Sequence, residues 1–95
     1  MIEDVKQALR ITVNAFDAEV QDLIEAARLD LIQSGISSAK ANDDTDALIK
    51  RAIIVYCKSN FGYDNPDADR FYDSYVMLKQ HLSLAADYRS VSDAT

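Results

Sequence analysis

The sequence predicts an all-α fold, a compact bundle of about four helices with a central buried third helix and a frayed C-terminal tail. Three observations carry that expectation. The 95 residues include two glycines and one proline, too few for the turns that many-stranded sheets need every ~8–12 positions. Apolar residues recur along most of the chain at the spacing of one helix face. One segment, over residues 46–60, is apolar nearly all round, which marks a helix enclosed by others. A chain this short has room for a single core. The expected organisation is one helical domain over residues 1–88 and a flexible tail over 89–95, where Arg-Ser-Val-Ser-Asp-Ala-Thr shows no period.

The first helix is expected over residues 2–10, with Ile2, Val5 and Leu9 on one face. Isolated helices under ~12 residues are marginal, so this one must dock onto the rest. The second is expected over residues 18–34, with Asp17 as N-cap and Glu19 at the positive end of the dipole. Its core stripe is Val20, Leu23, Ile24, Ala27 and Leu31. Gly35 suits the left-handed position just past the helix, and Ile36 then falls where it can meet Leu31 in a Schellman stop. Residues 37–44 read as a polar loop.

The third helix follows over residues 46–60, where Leu48, Ile49, Ala52, Ile53, Val55, Tyr56 and Cys57 cover more than half the circumference and Ile54 lies outside even that arc. Gly62 ends it. Tyr63 and Asp64 begin a turn into the fourth helix, with Asn65 as cap, Pro66 at the first helical position, and Asp67 and Asp69 in the first turn. Ala68, Phe71, Tyr75, Leu78, Leu82 and Ala85 form the last core stripe.

Several function classes are disfavoured. Sixteen acidic against ten basic residues give a net charge of −6, and affinity for nucleic acid comes largely from Lys and Arg neutralising phosphates. No sequence-specific nucleic-acid binding is expected, since Arg28, Lys50, Arg51 and Lys58 are scattered. Cys57, in the most apolar stretch, reads as an inert buried residue. His81 is the lone histidine, so no zinc set can form within the chain. The acids of residues 64–69 lack the glycine and glutamate of a calcium loop. We therefore expect no catalytic residues, no cofactor and no metal. The longest apolar run, residues 52–57, is far short of the about 20 residues of a membrane span, and the N-terminus lacks a signal-peptide pattern. The expectation is a protein made in the cytoplasm with no membrane contact.

Some apolar residues are surplus to the core. Met77, Leu84 and Tyr88, spaced i, i+7 and i+11 with His81 among them, lie more than about 90° from the Phe71–Leu82 stripe at 3.6 residues per turn. Leu29 and Ile32 lie off the main face of the second helix, and Phe61 and Tyr63 suit the rim of an interface. These eight residues are the candidate protein interface. They describe a protein that acts by presenting helix flanks to other proteins.

The run Val5-Lys6-Gln7-Ala8-Leu9-Arg10-Ile11, an acidic turn, and Asp22-Leu23-Ile24-Glu25-Ala26-Ala27 resemble the N-terminal half of small head–tail connector (adaptor) proteins of tailed bacteriophages. The stretch from Ile53-Ile54-Val55-Tyr56 through Asn60-Phe61-Gly62 to Asn65-Pro66, with Arg70-Phe71 and Tyr75, resembles the branch found in phages and prophages of Gram-positive bacteria. The resemblance implies an all-helical virion protein with no enzymatic residues, which is cytoplasmic in the host until it assembles at the head–tail junction. It implies a self-assembled ring of twelve-fold symmetry that docks below the portal protein, extends the DNA channel and receives a tail-side stopper or completion protein. It also implies that the C-terminal segment takes part in portal docking. The alternative reading is a small helical protein-binding module, a regulator or antitoxin-like protein, that forms no ring.

Overall fold

The computed structural model describes residues 1–62 and 65–90. Among them are five helices and no strand: α1 (Ile2–Leu9), α2 (Asp17–Gln33), α3 (Ser38–Ala41), α4 (Ala47–Asn60) and α5 (Ala68–Leu84). The all-α expectation holds, and α4 is the centre. Its Ile49, Ala52, Ile53, Val55 and Cys57 are buried, and it packs against α5, α2 and α1. Val5 of α1, then Val20, Ile24, Ala27 and Leu31 of α2, close the core from one side. Tyr75 and Leu82 of α5 close it from another. Phe71 and Leu78 pack half-buried beside them.

Local signals set most element ends. Gly35, at φ +104°, donates its N–H to Ile32 O at 3.0 Å, and Ile36 donates to Leu31 O at 3.2 Å. This is the Schellman stop expected for α2, and Ile36 is buried. Asp46 caps α4, its Oδ1 accepting from Leu48 N at 3.0 Å and Ile49 N at 3.1 Å.

Four details depart from the sequence reading. Phe16, not Asp17, is the N-cap of α2. Asp17 lies inside the helix because Lys6, only 6% exposed, needs an anion: its Nζ sits 2.8 Å from Asp17 Oδ1 and donates to Asn14 Oδ1 at 2.9 Å. The polar loop over 37–44 contains the single turn α3, capped by the Ser37 hydroxyl at 3.2 Å from Lys40 N and closed by Arg28 Nη1 on Ala41 O at 3.0 Å. Helix α5 begins at Ala68, two residues beyond Pro66. Asn65 organises a turn there, accepting from Asp67 N at 3.0 Å and donating to Lys58 O at 2.7 Å.

The fourth departure concerns the chain's end. Fraying was expected from Arg89, but Arg89 forms an antiparallel bridge with Ile36. Ser37 donates to Tyr88 O at 2.7 Å and Ser90 to Gly35 O at 2.9 Å. The backbone groups left free by the Schellman turn hold this segment. The rest of the expected tail, residues 91–95, lies outside the described residues.

An Ile53→Ala variant should lose about 3 kcal/mol of unfolding free energy, since the side chain is fully buried in α4. Met77→Ala, at a position 70% exposed, should change it by less than about 0.5 kcal/mol. Urea denaturation followed by circular dichroism measures both.

Candidate protein interfaces

Helix α5 lies along α4 and turns its other side to solvent. Met77 and Leu84, 70% and 80% exposed, stand two turns apart on that side, with His81 exposed between them. Two turns is about 10 Å along the axis. Tyr88 does not extend the row. The helix ends at Leu84, Ala85 is extended, and the chain folds back over the start of α4. There the Tyr88 hydroxyl donates to Asp46 Oδ2 at 2.9 Å and the Lys40 ammonium lies 5.0 Å from the ring centre. A spacing of i+11 needs an unbroken helix, and this one stops first.

On α2, Leu29 is 60% exposed while Ile32 is half-buried against the core. Phe61 is also half-buried. Its ring meets Phe16 edge-on, with centroids 5.7 Å apart, and Phe61 lines two open clefts of about 370 and 440 Å³. Tyr63 lies outside the described residues. The structure therefore gathers Met77, His81 and Leu84 on one helix flank, and places Leu29 and Phe61 on other elements.

Phe16 was missed as a surface aromatic, although it is the one aromatic outside residues 56–88 and is 44% exposed. Val13, Leu48 and Tyr72 are exposed as well; Leu48 was expected in the apolar arc of the central helix, and Tyr72, like Phe61 and Tyr63, is an aromatic suited to an interface rim.

The chemistry of the clefts is sparse. Among the described residues, one is lined by a single charged side chain, Lys58, and the other by Glu19. Cys57 is fully buried, and burial pushes its thiol up to about 12, so it is neutral at pH 7. His81 stands exposed on α5. Among the described residues no cluster of His, Cys, Asp and Glu could hold a metal ion, and no helix is long and apolar enough to cross a membrane.

Two buried-edge carboxylates fix α5 and its C-terminal turn. Asp30 of α2 accepts from the Tyr75 hydroxyl at 2.5 Å and from Lys79 Nζ at 3.0 Å. Partial burial works against its charge, but these two donors outweigh it and hold its pKa below the ordinary value. Asp46 is likewise lowered: burial opposes its charge, while the Ile49 and Leu48 N–H groups, the Tyr88 hydroxyl and Lys40 favour it. For Tyr75, burial first and then the bond to Asp30 raise the pKa, so the hydroxyl remains a donor across the physiological range. The α5 flank is thus presented by a helix anchored to both α4 and α2.

The family model described as phage connector protein matches residues 1–89. No curated protein and no solved structure matches the chain.

A carboxylate with a lowered native pKa stabilises the fold fully above its ordinary pKa of about 3.9, and that stabilisation is lost as pH falls through the native value. Asp30→Asn should therefore cost on the order of 1 kcal/mol at pH 7, modest because the side chain is 36% exposed. The gap between variant and parent should close as pH falls below about 4. Thermal melts across a pH series check the sign and the window.

Proposed function

The chain belongs to the phage connector protein family, and from that premise we propose that it is an adaptor at the head–tail junction of the virion. Membership gives the coarse role, a structural connector that works by contact with other virion proteins. The finer reading is a ring of copies, twelve-fold in the virion, that docks below the portal protein, extends the DNA channel and receives a tail-side stopper or completion protein. Before assembly the subunits reside in the host cytoplasm.

One observation carries this reading. Met77 and Leu84 are the two most exposed large apolar residues described, on a helix whose opposite face already completes the core. A fold that needs neither side chain internally has them available for a partner. The net charge of −6 supports the channel role, because a wall past which DNA slides must not hold phosphates tightly.

Electron microscopy of the protein mixed with portal rings tests the proposal. The parent chain should add a ring of density beneath the portal. Met77→Asp with Leu84→Asp should fold, as judged by an unchanged helical spectrum and cooperative melt, yet fail to add that density. A parent chain that leaves portal rings bare, or binds some other protein in a stoichiometric non-cyclic complex, overturns the adaptor reading in favour of a simple binding module. A double variant that decorates portals as well as the parent removes the α5 flank from the contact.

A further inference from the structure

Most cations of this acidic chain are spent internally. Lys6 faces Asp17, Arg28 faces Asp44, Lys50 faces Asp4, and Lys79 faces Asp30. Arg51 and Lys58 differ. Like Arg10 and Arg89, neither has an ion pair among the described residues, but these two lie together on α4; Lys58 rests over the Phe71 ring at 5.3 Å. At about 100° per residue they share one side of α4 with Ile54 between them. Arg51 is exposed, and Ile54 and Lys58 are half-buried. The neighbouring helices leave this strip only partly covered, with Phe71 of α5 against Lys58 and Ile54 resting on the core.

The far side of α2 has the opposite character. Asp22 and Leu29 lie about 140–160° around that helix from the buried Ile24, with Glu25 beside them at about 100°. Asp22 and Glu25 are exposed and have no ion pair among the described residues, and Glu25 accepts only from Gln21, at 3.0 Å. The one cation of the helix, Arg28, is turned away to Asp44 at 2.7 Å.

The two surfaces point away from each other. Tyr56 marks the side of α4 where α5 and α2 meet: its ring lies 5.0 Å from that of Tyr75 on α5, whose hydroxyl donates to Asp30 of α2. Arg51 and Lys58 lie about 140–160° around α4 from Tyr56. One flank of the subunit therefore offers two unpaired cations around an aliphatic side chain, and the opposite flank offers two unpaired acids beside an exposed leucine.

We propose that these flanks bind each other between copies of this chain, with Arg51, Lys58 and Ile54 of one subunit against Asp22, Glu25 and Leu29 of the next. Complementary surfaces on opposite sides make a heterologous, head-to-tail contact, and a contact of that kind closes into a ring when the rotation permits. A two-fold contact would instead set like charge on like charge. The inference rests on the ring reading above and names the residues that join the subunits. It leaves the Met77 flank of α5 free for a different protein.

Charge reversal and its rescue test the contact in the full chain. Arg51→Glu alone and Asp22→Arg alone each place like charges at every junction and should weaken assembly about tenfold, the equivalent of 1.4 kcal/mol per junction. Both sites are exposed, so folding should persist, and circular dichroism verifies it. The double variant Arg51→Glu/Asp22→Arg restores opposite charges at every junction and should recover assembly, measured as ring density on portals and by sedimentation at high protein concentration. Single reversals that assemble like the parent, or a double variant no better than the singles, overturn the proposed contact while the adaptor reading stands. A parent chain that never assembles overturns both.

Discussion

The constraint on which the rest depends is the burial of α4. A helix with Ile49, Ala52, Ile53, Val55 and Cys57 all withdrawn from water cannot stand at a surface, so three neighbours must lie along it. None of them is self-sufficient. The eight residues of α1 fall below the length at which an isolated helix persists, and α5 buries only Tyr75 and Leu82 outright. Apolar packing alone would leave their placement loosely determined. Directional polar ties at the edges settle it: Lys6 to Asp17 pins α1 to the start of α2, and Tyr75 and Lys79 to Asp30 pin α5 to its far end. Tyr88 to Asp46 lays the C-terminal turn over the start of α4.

What could be read from the sequence follows from the range of the interaction responsible. The stop at Gly35 and Ile36 depends on residues within five positions of one another, so local rules recover it. The all-round apolar character of α4 is likewise contained in its own segment. Asp17 was misassigned as a cap because the group that claims it, Lys6, is eleven residues earlier and is buried only once the fold exists. The single turn of α3 is shorter than one period of the pattern that reveals helices. The exposed row on α5 was legible where the helix continues, at Met77, His81 and Leu84, and not at Tyr88, where the helix has ended. Arg89 and Ser90 are held through backbone groups, which no composition argument can see.

Charge shapes what such a subunit can touch. With sixteen acids and ten bases, two copies brought together at random meet mostly as like charges. Lys6, Arg28, Lys40, Lys50, Arg70 and Lys79 are already engaged with acids of the same chain. The cations left over then decide orientation, because few approaches set one against an acid. An acidic surface with few unpaired cations, two of them together on α4, thus favours a defined contact over indiscriminate association, at the cost of sensitivity to salt.

The size of the α5 flank argues for assembly as the source of its affinity. Burying one Met or Leu side chain fully is worth about 1.5–3 kcal/mol, so Met77 and Leu84 together offer about 3–6 kcal/mol before any ordering cost. Association of two free proteins forfeits an estimated 4–15 kcal/mol of translational and rotational freedom. A lone subunit held through these two side chains would therefore dissociate readily from any partner. Copies joined to their neighbours forfeit that freedom largely once, and each further contact then acts at high effective concentration. In the proposed ring, a flank this small acts as one of many identical flanks, which links the exposed side of α5 to the α4 strip proposed to join the copies.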